Sequence, residues 1–206
     1  MKAIIGLVVA LVIVVGGYLA YQKYAAIQLA ATGPAKEIVS ESMNRSGNTW
    51  DITFVSKFDA PIDKVWDAFT HPERIKEFAP ENVMQVEVVK EEGNTKQIRV
   101  VGKSEILPPG FKIQDIVTEY TLYPAEHRIT SKTIDFKLAD IDSEYRFEPA
   151  ADGKTILRFK QTAKQKAATI VESLQRGALR EQYIVQVRAA TRALGGAPAE
   201  AKREPS

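Results

Sequence analysis

The chain has no cysteine. That excludes thiol nucleophiles, disulfide staples and thiolate metal sites, and leaves the redox compartment open. Histidine is scarce: His71 and His127 are the only two, so three histidine ligands cannot converge and no zinc centre is expected. A surplus of one charge is also missing. Lys and Arg number 28 against 26 Asp and Glu, a net of +2. The two signs are interleaved, which argues against a nucleic-acid partner. No glycine-rich phosphate loop and no internal repeat occurs. What is present is apolar: 45% hydrophobic and 8% aromatic residues over 206 positions, enough for one domain with a real core.

The hydrophobic content is uneven. Ala3 to Gln22 carries no charge, and its 20 residues would span about 30 Å as a helix, the thickness of a bilayer's hydrocarbon. Tyr18, Tyr21 and Tyr24 follow where an interfacial aromatic belt would lie. Residues 1–24 therefore read as a transmembrane anchor. Cleavage as a signal peptide is the competing reading, but Tyr18-Leu19-Ala20 places a bulky side chain where a small one is needed. Lys2 beside the start amine predicts an inside N-terminus and a single-pass protein whose domain is extracytoplasmic, on the periplasmic side. Residues 25–49 read as a stalk and linker, with Gly33-Pro34 stopping the helix and Ser40 to Thr49 a polar tether. Residues 195–206, rich in Gly, Ala, Pro and charge, read as a disordered tail.

Residues 50–194 hold the domain. Trp50 to Asp59 alternates as a strand, with Ile52, Phe54, Ser56 and Phe58 on one face. At Pro61 the period changes, and Ile62, Val65, Trp66 and Phe69 fall at helical spacing. Thr70 and Glu73 have capping-box spacing for a second short helix carrying Ile75 and Phe78. Strands are predicted at Val83–Lys90, Lys96–Lys103, Lys112–Leu122, His127–Asp135, Glu144–Glu148 and Thr155–Gln165, with turn signals between them. Ala167 to Leu194 is a long helix without proline. One side gathers Ile170, Val171, Leu174, Ala178, Val185 and Ala189; nearly opposite lie Leu179, Tyr183, Val187, Ala190 and Leu194. A helix with two apolar sides needs broad cover, which a curved antiparallel sheet supplies better than a flat one.

The run Phe58-Asp59-Ala60-Pro61-Ile62-Asp63-Lys64-Val65-Trp66-Asp67-Ala68-Phe69, the His71-Pro72-Glu73 after it and the closing helix resemble the START-like (SRPBCC) superfamily, which includes polyketide cyclase/dehydrase-like and Bet v 1-like proteins. The resemblance covers residues 50–194 and implies an α+β helix-grip fold: a curved antiparallel sheet around the C-terminal helix, with an apolar cavity between them. The transmembrane helix in front departs from many members.

Phe54, Phe58, Trp66, Phe69, Phe78, Tyr120, Tyr145, Phe147, Phe159 and Tyr183 lie on elements that such a fold turns inward, and they are the candidate ligand-binding residues. Plain core packing is the competing role for most. Leu107-Pro108-Pro109-Gly110-Phe111 is a stiff loop suited to a pocket mouth. Both histidines read as structural, and Glu119, Asp135, Asp140, Asp142 and Glu144 as a solvated sheet face. No catalytic residue, cofactor or metal is expected. The expected function is a membrane-anchored binding module for a hydrophobic small molecule, lipid or isoprenoid-like. The alternatives are a cyclase- or dehydratase-like enzyme and an interaction domain with a vestigial cavity. The oligomeric state stays open.

Overall fold

A computed structural model describes residues 33–104, 107, 112–166 and 172–195. The expected anchor at 1–24, the loop residues 108–111 and nearly all of the tail lie outside the described residues. Among those described, no helix is long and apolar enough to cross a membrane.

The chain runs β1 (Ser40–Ser46), β2 (Thr49–Phe58), α1 (Ile62–Thr70), a 3-10 turn (Pro72–Arg74), α2 (Ile75–Phe78), β3 (Val83–Glu92), β4 (Thr95–Lys103), β5 (Ile113–Tyr123), β6 (Arg128–Asp135), β7 (Ala139–Pro149), β8 (Thr155–Gln165) and α3 (Glu172–Ala193). The strands form one antiparallel sheet in the order β1-β2-β8-β7-β6-β5-β4-β3. Register shifts in the β3–β4 and β5–β6 pairs mark bulges that bend the sheet around α3. The predicted hairpin at Glu92-Gly93-Asn94 is there, its tight turn made possible by Gly93 at φ 56°. The expected α+β arrangement of sheet and closing helix is the observed one.

Three local expectations change. Ser40–Ser46 is not a tether but edge strand β1, with Met43 opposite Ile52. Only Met43 in β1 is buried. An edge strand packed at one point carries little apolar alternation, and so its sequence resembled a linker. Thr70 and Glu73 do not form a capping box: Thr70 lies inside α1 and its hydroxyl donates back to the Asp67 carbonyl at 3.1 Å. The proline at position 72 forces a 3-10 turn instead, and Glu73 turns its carboxylate to His71 and Lys96. The part of the expected linker that is described is also docked rather than free. Arg180 of α3, nearly fully buried, donates to Glu41 at 2.7 Å and to the Gly33 carbonyl at 2.6 Å. Arg188 reaches Glu37 at 2.7 Å, and the Ser56 hydroxyl donates to the Glu37 carbonyl.

The two apolar sides of α3 have separate roles. Leu179, Tyr183, Val187 and Ala190 press into the main core with Trp50, Ile52, Phe54, Leu157 and Phe159. There Tyr183 stacks on Phe54 and Phe159, ring centroids 4.5 and 4.9 Å away. The other side, carrying Ala178, Val185 and Ala189, faces β4 and β5, where the packing is looser.

Candidate functional site

Strand alternation and register build one wall of the site. In β7 the odd-numbered residues point inward, and Tyr145 stands beside Ile129 of β6. Tyr120 of β5 stands beside Ser131 of β6. The opposite wall is the end of α3, with Gln186, Ala189, Ala190, Ala193 and Leu194. Helix α1 contributes Phe69, held among Phe58, Phe147 and Tyr145 at centroid distances of 5.9, 5.1 and 6.1 Å. Helix α2 and strand β4 close the sides with Ile75, Phe78 and Val100. Across from the tyrosines α3 presents alanines, and the missing side-chain volume leaves a hollow of about 540 Å³. That lies within the range of ligand sites, roughly 300–1,000 Å³.

The inner polar groups are neutral. The Tyr145 hydroxyl donates to Gln186 Oε1 at 2.8 Å and also bonds Ser131. Burial raises the Tyr145 phenol well above its usual range, and the nearby Tyr120 reinforces the shift against those hydrogen bonds. Burial likewise pushes Tyr120 up to about 12, opposed by its bond to Thr118. Both phenols therefore stay protonated and neutral at physiological pH.

Charges sit at the rim: Asp63, Lys64, Asp67, His71 and Arg74. Arg74 is committed to Glu77 at 3.0 Å. His71 Nδ1 lies 3.0 Å from Glu73 Oε1, which also accepts from Lys96 at 3.3 Å. Burial raises the Glu73 carboxyl, but its own backbone N–H, His71 and Lys96 together hold it below the usual range.

Of the ten aromatic candidates, Phe69, Phe78, Tyr120 and Tyr145 line the hollow. Phe54, Phe159 and Tyr183 stack on one another in the core behind it. Phe58 packs edge-on against Phe69, while Trp66 packs against Phe147 and His127. These six belong to the packing that supports the wall. Sequence reasoning missed Gln186, Ala193, Ile75, Val100 and Ile129 as lining residues. A signal existed for two of them, since Gln186 and Ala193 share a helical face with Ala189.

His127 sits at the β5–β6 turn with φ 43°, its ring edge-on to Trp66 at 5.6 Å and Nε2 3.6 Å from Asp63. Asp140 pairs with Lys166 at 2.6 Å, Glu144 with Arg146 at 2.7 Å, and Glu119 accepts from Gln97 at 2.9 Å. None of the five carboxylates named from the sequence lines the hollow. Among the described residues, no group of three or more His, Asp or Glu is placed to hold a metal. A broad depression on the outer sheet face is walled mostly by polar and charged residues such as Asp51, Thr53, Lys132 and Lys160.

A curved antiparallel sheet closed by one long helix over an internal cavity defines a helix-grip protein. The chain belongs to the family described as "Polyketide cyclase / dehydrase and lipid transport", whose model matches residues 49–183. Solved structures share the fold at low identity. The protein TTHA0849 from Thermus thermophilus is 16% identical, with 70% of this chain and 97% of that one covered and a TM-score of 0.61. The Zhui aromatase/cyclase from Streptomyces sp. R1128 is 18% identical, with 72% and 99% covered and a TM-score of 0.56. A START superfamily protein from Mycobacterium smegmatis is 11% identical, with 70% and 97% covered and a TM-score of 0.58. No curated protein sequence matches the chain.

Proposed function

We propose that the chain is a membrane-tethered binding module that holds a neutral hydrophobic small molecule between its sheet and α3. The observation that carries this reading is the hollow of about 540 Å³, walled by Phe69, Phe78, Ile129 and alanines of α3 and holding only the neutral Tyr145–Gln186 and Tyr120 groups inside. Apolar walls offer burial worth roughly 25 cal/mol per Å². An ionised group placed at that depth would lose its hydration without a counter-charge. The ligand's buried end is therefore a carbonyl, hydroxyl or similar neutral group. The apolar residues 1–24 hold the domain at a bilayer on its extracytoplasmic side, close to a reservoir of such molecules.

The full chain, purified and measured by native mass spectrometry, retains an apolar small molecule that organic extraction releases. A protein that is always empty and binds no apolar probe would end this reading. An enzymatic alternative rests on one observation, the His71–Glu73 pair at the rim. An oriented imidazole beside a cavity is placed for proton transfer. If that alternative is right, the extracted molecule is chemically altered on incubation with wild-type protein and unaltered with His71→Ala.

A further inference from the structure

The hollow does not stop at Gln186. Two smaller voids of about 130 and 40 Å³ continue it along α3. The first and second share Ile75, Val100, Tyr120 and Gln186 as a common wall. The second and third share Gln114, Ala178 and Gln182. On α3 the lining residues Gln175, Ala178, Gln182, Gln186, Ala189 and Ala193 follow one another at steps of three or four, which is a single helical face. From Gln175 to Ala193 that face extends about 27 Å at roughly 1.5 Å per residue.

The three voids differ in width and polarity. The first is wide and contains the phenols and the Gln186 amide. The second is narrow, with Thr118, Gln114 and Gln182 along it and Ser104 bonded to Glu181 at its edge. The third is small, with Leu107, Phe136, Leu138, Ile141 and Leu179 as its apolar part and Gln114, Gln165, Gln175 and Gln182 beside them. Leu107, the one described residue of the loop expected at the pocket mouth, lines this third void.

We infer that the ligand is a neutral lipid with one broad head, bearing a carbonyl or hydroxyl, and one slender linear tail laid along the α3 seam. The head occupies the first void, which is lined by the Tyr120 hydroxyl and by the Gln186 amide, whose N–H is left to donate because its oxygen accepts from Tyr145. The tail passes Tyr120 and Gln186, and its terminal carbons reach the third void, against Leu107, Phe136, Leu138, Ile141 and Leu179. A lipid with two tails does not fit, because the seam continues in a single file of narrow voids. This inference rests on the ligand-binding reading above.

The test uses the full chain and benzoquinones bearing one linear alkyl tail of increasing length, with the tail-less ring as reference. Affinity for wild-type protein rises with tail length and then levels off once the seam is filled. Ala178→Phe plugs the joint between the second and third voids. It moves the plateau to shorter tails and weakens binding of the longest by about tenfold, the worth of roughly two methylene groups, leaving tail-less binding unchanged. Val185→Phe narrows the second void and is the check should Ala178→Phe fail to fold. If the ring binds but tail length has no effect, or the plateau is the same in both variants, the single-tail inference is wrong while the binding module stands. If no member of the series binds, tail-less ring included, both fail.

Discussion

Tyr145 shows how one side chain serves both stability and recognition. Its ring packs against Phe159 at 4.8 Å and its hydroxyl donates to Gln186 across the hollow. Tyr145→Phe keeps the ring and leaves Gln186 Oε1 without that donor, so denaturant unfolding should show a loss of about 1–3 kcal/mol. Binding of a carbonyl-bearing ligand should weaken in the same variant. Tyr183 behaves differently, because its hydroxyl meets Ser56 at 2.7 Å inside the solid core. Burial raises its phenol well above the usual range, with the Ser56 bond opposing. A raised folded pKa means that this contribution is intact below the unfolded value of 10.0 and fades as pH climbs through the folded value. Stability measured by denaturant titration should therefore drop above pH 10, and Tyr183→Phe should drop less steeply over that interval. The family resemblance turned these phenols inward, but their hydrogen-bond partners could not be read from the sequence, since Tyr120, Tyr145 and Tyr183 sit on three elements far apart in the chain.

At the scale of elements, α3 is the piece on which the others depend. Its apolar residues fall on two faces, one in the core and one along the voids, with Leu179 and Ala190 bordering both, and that division was legible in the spacing of Leu179, Tyr183 and Val187 against Ala178, Val185 and Ala189. What the spacing could not show is which face packs tightly. A third set of contacts binds α3 to the segment entering the domain: Arg180 to Glu41 and Gly33, and Arg188 to Glu37. Because Arg180 is buried, Arg180→Met should cost about 2 kcal/mol or more by leaving Glu41 and a backbone carbonyl short of a partner. Limited proteolysis should then cut at residues 33–39 faster than in wild-type protein. A freely moving tether would show equal rates in both. The strand β1 was missed for the same reason that this docking was: polar residues at an edge, fixed by partners far along the chain, carry no local signature.

For the whole molecule, the balance between core and cavity decides what the fold can do. The aromatics of β2, β8 and α3 close one half of the interior, and the other half stays open beneath the alanines of α3. Filling that half should abolish binding without unfolding the protein. Ala193→Phe, at the end of α3, should lose affinity for an apolar probe by at least tenfold while its melting temperature stays within a few degrees of wild type, as expected for a site that is not tightly packed. Added ligand should raise the wild-type melting temperature in proportion to the logarithm of its concentration and leave the variant's unchanged. Circular dichroism melts with and without probe would check both.

Periodicity and turn residues determined by themselves the order of elements from β2 onward, the closing helix with its two apolar sides, and a family resemblance centred on Phe58 to Phe69. They could do so because strand and helix periods are local properties of the backbone. Only the tertiary structure decided that Phe54, Phe159 and Tyr183 meet in a solid core while Phe69, Phe78, Tyr120 and Tyr145 border empty space. Whether two apolar faces touch or leave a void depends on the summed volumes of side chains brought together from distant parts of the chain, and no local window of sequence contains that sum.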